Sequence, residues 1–420
     1  QRRMGVQFRQ RLGRRLQRLR QPRDLAPLMQ FKKPQFDAKK RRLDAALTIE
    51  DLRAIAKRRT PAAAFDYVDG AAKREITARR SREVFDSVEL LPRILHGVAA
   101  PDLSVEIAGA RSALPFGIAP TGFTRFMHAE GEDAGAAAAA AAGIPFSLST
   151  MGTRSIEETA AASGDGDRWF QLYLWKDRDR ARDLIERAAA SGYGALLVTV
   201  DTPVAGQRLR DVRNGMTIPP RLNAKTVVDA SYRPEWWWNF LTTDPLTFAS
   251  LSDSAGDLPS IINGMFDPTL SLRDLEWIRS VWPGTLMVKG ILTREDTRRA
   301  LDVGADGLVV SNHGGRQLDR APVSLQALPA VREEAGADVP IVLDSGILTG
   351  EDIVAALALG ADFTLIGRAY LYGLMAGGQE GVRRVIELLA KEVEVAMSLM
   401  GAATTADLTP ASVRAPWLEG

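Results

Sequence analysis

The chain has 420 residues with 45% hydrophobic content and no cysteine, enough apolar material for one large core or two domains. The missing cysteines exclude disulfides, thiolate metal sites and cysteine nucleophiles, and no metal is expected. The net charge of +2 hides an asymmetry: residues 1–42 carry 15 Lys/Arg against Asp24 and Asp37, net +13, and the remainder is net −11.

In the basic arm, Phe8, Leu12, Leu16 and Leu19 recur at helical spacing, surrounded by Arg9, Arg11, Arg14, Arg15, Arg18 and Arg20. Such a helix can lie in a membrane interface with its arginines on anionic headgroups, so residues 1–21 are expected to dock on an anionic membrane surface. A solvated tail, or an arm packed on a neighbouring subunit, is the plainer reading. Nucleic acid is not expected as a partner, because aromatic stacking residues are not interleaved with the arginines. No apolar run approaches the roughly 18 residues that span a bilayer, and no apolar core follows the N-terminal charges as in a secretory signal. Pro22 ends the arm helix, and 23–43 reads as a linker with Phe31 and Phe36.

Thr48 with Asp51 resembles a capping box opening a helix. A second helix runs over Ala62–Val68, carries Tyr67 and stops near Gly70. Residues 85–112 look like short antiparallel strands covering a barrel end. Then short apolar runs alternate with amphipathic stretches. The runs are Leu114–Pro120, Pro145–Thr150, Trp169–Trp175, Ala195–Val200, Thr285–Gly290, Gly307–Asn312, Pro340–Ser345 and Phe363–Arg368. Helices are expected over Glu130–Ala142, Ala181–Ala190, Leu272–Val281, Glu295–Val303, Leu325–Ala335, Glu351–Leu359 and Gly381–Met400. Eight such units predict an α/β fold, a TIM (β/α)8 barrel over 44–420, in preference to a doubly wound sheet. About 70 residues (201–271), with Trp236, Trp237 and Trp238, separate the fourth strand from its helix. A connection that long is usually a lid or binding loop.

Polar residues end every predicted strand: Thr121, Ser149, Gln171 with Tyr173, Thr199 with Asp201, Lys289, Ser311 with His313, Asp344, and Arg368. Each alone could be an ordinary strand cap, but in this fold such positions build the active site. In Gly307–Asp319 an apolar strand runs straight into His313, a Gly-Gly pair that lets backbone approach a ligand, and Arg316. That reads as a catalytic base beside a carboxylate clamp. The last two strands end in Asp344-Ser-Gly346 and Gly367-Arg368, where barrels usually hold phosphate. Gln171, Thr199 and Lys289 suit the edge of a polar heterocycle, so the cofactor suggested is FMN.

The segments SNHGGRQLD (311–319), VTVDTP (198–203), FQLY (170–173), VKG (288–290) and IGRAYLYGL (366–374) resemble the FMN-dependent α-hydroxy acid oxidase and dehydrogenase family, over about Leu47 to Leu408. Within it the chain is most similar to the bacterial, actinobacterial-type, quinone-linked L-lactate dehydrogenases. The resemblance implies that His313 is the base, held by Asp201, and that Arg316, Tyr67 and Arg208 bind the substrate carboxylate while Tyr173 bonds the substrate oxygen. It implies flavin contacts from Thr121, Ser149, Gln171, Thr199, Lys289 and Ser311, with Asp344, Gly346, Gly367 and Arg368 around ribityl and phosphate. The implied reaction is oxidation of an (S)-2-hydroxy acid, L-lactate to pyruvate, with electrons passed to a membrane quinone by a homotetramer on the inner face of the cell membrane. An oxygen-using oxidase or monooxygenase is the alternative, and a non-catalytic barrel with a docking arm is the alternative of another class. Removal of the α-proton and hydride departure both need the same base and clamp. Three positions depart from or vary the pattern. Leu348 stands where many members have a phosphate-binding Arg. Met151 replaces a pocket Trp of glycolate oxidase. Gly122 leaves room beside the flavin for substrate or acceptor.

Overall fold

Eight short apolar runs hydrogen-bond in parallel and close on themselves in the computed structural model, which describes residues 35–175, 177–215, 228–229, 231–243, 249 and 267–418. They are β1 (Phe116–Thr121), β2 (Phe146–Ser149), β3 (Arg168–Leu172), β4 (Ala195–Thr199), β5 (Thr285–Ile291), β6 (Gly307–Val310), β7 (Ile341–Leu343) and β8 (Phe363–Ile366). Each pairs with its neighbour, and β8 returns to β1. The predicted barrel is therefore closed, with every predicted run in it. Strands buried on both faces need unbroken apolar sequence, and all four residues of β6 and of β8 are buried. Trp169, Leu197, Met287, Val342 and Phe363 fill the interior, with Trp169 and Phe363 rings 5.7 Å apart. The predicted end cover is a hairpin, Val105–Ile107 with Ala110–Ser112, whose Ile107 joins that interior cluster.

The helices are α1 (Ala38–Asp44), α2 (Ile49–Arg59), α3 (Ala62–Asp69), α4 (Ile76–Asp86), α5 (Gly131–Ala141), α6 (Ile156–Ser163), α7 (Arg178–Ala190), α8 (Leu209–Arg213), α9 (Pro234–Thr242), α10 (Leu272–Val281), α11 (Arg294–Asp302), α12 (Ser324–Ala335), α13 (Gly350–Ala358) and α14 (Arg368–Leu399). Capping boxes start α2 (Thr48 and Asp51), α6 (Ser155 and Glu158) and α13 (Thr349 and Asp352), each contributing about 1 kcal/mol. The predicted box at Thr48 is thus present.

The chain divides into two units, Gln1–Arg42 and Leu43–Gly420. The expected arm helix over residues 1–21 lies outside the described residues. Several elements differ from the sequence reading, among them the short helices Thr124–Met127, α8 and α9, none of which was expected. Part of the expected linker is helical, as α1. The segment before the end cover is α4, with only Glu89–Leu90 forming a strand, against Val413–Arg414. Helix α6 was not among the predicted ones. The last helix starts at Arg368, thirteen residues early, and breaks at Gly377 and Gly378, whose backbones leave helical geometry. Its first turns escaped because Ala369–Leu374 is apolar and aromatic on all sides, which conceals helical periodicity.

Candidate active site

The strand registers set the polar side chains in a row at the C-terminal rim. Ser149 pairs with Gln171 across β2 and β3, and Thr199 with Lys289 across β4 and β5. Ser149 Oγ donates to Gln171 Oε1 at 2.9 Å, and Gln171 Nε2 donates to Thr199 Oγ1 at 2.9 Å. Lys289 Nζ donates to Ser311 Oγ and reaches Asp344 Oδ2, both at 2.9 Å. Burial alone would strip the lysine of its proton, but Asp344 and Asp201 outweigh it and hold the ammonium above its usual range. A buried positive charge with one N–H still uncommitted therefore faces the rim.

Beyond β6, His313 takes a left-handed backbone, φ 58°, in a short 3-10 turn capped by the Asn312 side chain on the Gly315 N–H. Its Nδ1 lies 2.9 Å from Asp201 Oδ1. Burial would raise the Asp201 carboxyl, yet His313 and Lys289 together hold it below the usual carboxylate range. An ionised Asp201 can only accept, so Nδ1 carries a proton and Nε2 is the ring nitrogen available to a substrate. The other carboxylate oxygen, Oδ2, is buried without a partner. A bulge in β5 at Gly290 makes this approach possible: a Cβ there would sit 2.8 Å from Asp201 Cβ. Gln317 fastens the loop by donating to the Asp201 and Val204 carbonyls.

A cluster of cations gathers around Tyr67. The Arg316 and Arg208 guanidinium carbons lie 4.9 and 5.6 Å from its ring centroid, and Phe123 meets it edge-on. Arg316 Nη1 donates to the Tyr67 and Gly70 carbonyls, while Arg368 donates to those of Val68 and Gly70. The negative end of α3 so collects two guanidinium groups. Arg208 Nε bonds the buried Asp211 at 2.7 Å. Burial, with Arg208 and Arg368 close by, pushes Arg316 down to about 10, so it stays charged at neutral pH in a setting short of anions. Burial, then Asp201 and Tyr67, raise the Tyr173 phenol well above its ordinary value and keep it a donor. A small carboxylate beside a proton acceptor and a phenol donor fits this arrangement.

At the ends of β7 and β8, Ser345 Oγ donates to Asp344 Oδ1 at 2.7 Å and accepts from the Gly314 N–H at 2.9 Å. The N–H groups of Gly346 and Ile347 have no partner among the described residues. The Gly-Gly pair also makes room within the protein itself. Gly314 gives room to Arg368, whose Nη1 would lie 2.8 Å from a Cβ, and Gly315 to Ala78 of α4. Leu348 packs on the core. Free amides, Arg368 and the row from Ser149 to Ser311 supply the donors that a phosphate and a polar ring edge require, so the residues present fit FMN.

All the predicted site residues lie at this end of the barrel, with Arg208 supplied by the long loop. Sequence reasoning missed what holds them. Arg210 ties α8 to Asp69 at 2.9 Å and Glu75 at 2.6 Å, and Asn214 bonds Asp66 at 2.7 Å, fixing the loop beside Arg208. Asp211, three residues after Arg208 on one helix, was the sole local signal. Of the tryptophans, Trp236 bonds the Phe126 carbonyl and stacks on Phe240, whereas Trp238 and Leu241 are exposed.

The sequence profile of the family described as FMN-dependent dehydrogenase matches residues 56–415. The chain is 58% identical over 391 residues to the Mycobacterium tuberculosis protein named "Putative L-lactate dehydrogenase", covering 93% of this chain and 94% of that one. It is 44% identical to the L-lactate dehydrogenase of Ectopseudomonas mendocina, covering 86% of this chain and 96% of the relative. Among solved structures, the monotopic membrane protein (S)-mandelate dehydrogenase superposes with a TM-score of 0.85 at 36% identity, over 88% of this chain and all of that one.

Proposed function

Because the chain belongs to the FMN-dependent dehydrogenase family, whose relatives here oxidise 2-hydroxy acids, we propose that it converts L-lactate to pyruvate and passes the electrons to a membrane quinone. The observation that carries the reading is the Asp201–His313 pair at 2.9 Å beside the guanidinium cluster on Tyr67. FMN, when bound, supplies the two-electron acceptor. Arg316 and Arg208 hold the substrate carboxylate with Tyr67, and Tyr173 donates to the substrate oxygen. His313 Nε2 takes the proton, and Asp201, already ionised, stabilises the imidazolium that results. Lys289 places a positive charge where negative charge develops during the reaction. Thr121, Ser149, Gln171, Thr199, Lys289 and Ser311 would hold the ring of FMN, and Asp344, Gly346, Gly367 and Arg368 its ribityl chain and phosphate.

L-lactate is favoured over a larger acid because the relatives named for it are 44–58% identical, against 36% for the mandelate enzyme. An anaerobic absorbance titration tests this: L-lactate bleaches the flavin, and the reduced protein is reoxidised faster by a quinone analogue than by oxygen. Flavin that stays oxidised with L-lactate overturns the substrate, and equal reoxidation by oxygen overturns the acceptor.

We propose that the arginine-rich residues 1–21 attach the protein to an anionic membrane surface; Trp238 and Leu241 of α9 are exposed apolar residues in their own right. No helix of the described residues is long and apolar enough to cross a membrane. Deleting residues 1–21 is expected to release the protein from anionic vesicles in a sedimentation assay while dye-linked activity persists. Unchanged sedimentation counts against the arm as anchor.

A further inference from the structure

Leu348 stands where the resemblance implies a phosphate-binding arginine, and the structure has Arg82 underneath the same loop. Arg82, on α4, has all five N–H donors committed. Nη1 donates to the Gly346 carbonyl at 2.9 Å and to Asp352 Oδ2 at 2.7 Å, Nη2 to Asp352 Oδ1 at 2.8 Å and Asp86 Oδ1 at 2.7 Å, and Nε to Asp86 at 3.2 Å. It therefore has nothing left with which to bind a ligand itself.

What it holds is one side of a peptide group. In a trans peptide the C=O of one residue and the N–H of the next point in opposite directions. With the Gly346 carbonyl tied to Arg82 of α4, the Ile347 N–H is turned away from that arginine and has no partner among the described residues. The next peptides are pinned as well: buried Asp352, the partner of Arg82, accepts from the Leu348 N–H at 2.9 Å and the Thr349 N–H at 3.0 Å. Ser345 and Gly346 both have positive φ, 80° and 105°, so the chain turns sharply just before these pinned peptides. Phe85 presses on the loop from below, 2.9 Å from where a Gly346 Cβ would be.

We propose that Arg82 is a positioning residue for the cofactor phosphate: through the Gly346 carbonyl and Asp352 it presets the Ile347 N–H to serve the phosphate in a loop where Leu348 offers no donor side chain. This rests on the assignment of the β7–β8 end as the phosphate socket.

The test compares FMN with riboflavin, which lacks the phosphate, as ligands of the full chain, with dissociation constants from flavin fluorescence quenching. Arg82→Lys weakens FMN about tenfold, the scale of one hydrogen bond to a charged group, and leaves riboflavin unchanged. The double variant Arg82→Met with Asp352→Asn does the same without stranding a buried carboxylate, so a misfolded single variant does not decide the matter. Arg368→Met serves as the socket control. If it lowers the preference for FMN over riboflavin and the Arg82 variants do not, the role of Arg82 is overturned and the socket stands. Should none of the variants alter that preference, the socket assignment falls and takes the inference with it. Equal weakening of both ligands reduces Arg82 to a structural ion pair and also overturns the proposal.

Discussion

Replacing His313 by Gln lowers kcat by about 10³- to 10⁴-fold, the upper range for loss of a positioned general base. The protein stays yellow, because none of the hydrogen bonds in the ring-edge row runs through the imidazole: Ser149, Gln171 and Thr199 bond one another, and Lys289 bonds Ser311 and Asp344. Gln keeps a polar group near Asp201 but has no basic nitrogen, so substrate affinity changes far less than turnover. Stopped-flow reduction of the flavin by L-lactate under anaerobic conditions isolates the step. A variant reduced at the wild-type rate would remove His313 from proton transfer and leave Asp201 as a loop anchor.

Arg316→Lys lowers kcat/KM by about 100-fold, expressed mainly in KM, because a planar fork is exchanged for a point charge. Two effects add. The ammonium cannot grip a carboxylate with two parallel bonds, and it cannot at the same time reach the Tyr67 and Gly70 carbonyls that fix the native guanidinium. Arg208 stays in place on Asp211, so binding is weakened and not abolished. Steady-state kinetics with L-lactate, paired with inhibition by a substrate-shaped carboxylate such as the 2-oxo acid, reads both numbers. Unchanged values for both would show that the substrate carboxylate is held elsewhere.

Much of the barrel and its rim was legible because buried parallel strands leave a strong trace: short apolar runs that give way to polar residues. His313, Lys289 and Gln171 announce themselves that way. What escaped depends on partners distant in sequence. Arg82 and Asp352 are separated by 270 positions, Arg210 and Asp69 by 141, and no local pattern links them. Helix α4 was missed for a related reason. Its buried face is Thr77, Ser81 and Phe85, two hydroxyls and one ring, which carries little apolar periodicity. The start of α14 failed in the opposite direction, being apolar all round.

The carbonyl end of α3 bears a load that its eight residues do not suggest. Arg316 and Arg368 hang from the same Gly70 oxygen, one the hook proposed for the acid and one that proposed for the nucleotide. A Cβ at Gly70 would lie 2.6 Å from the Asp66 carbonyl, so the ledge cannot be rebuilt with another side chain without shifting both hooks. A change of tension at that ledge travels to both ligands at once, and a defect there shows up as paired losses in two seemingly separate affinities.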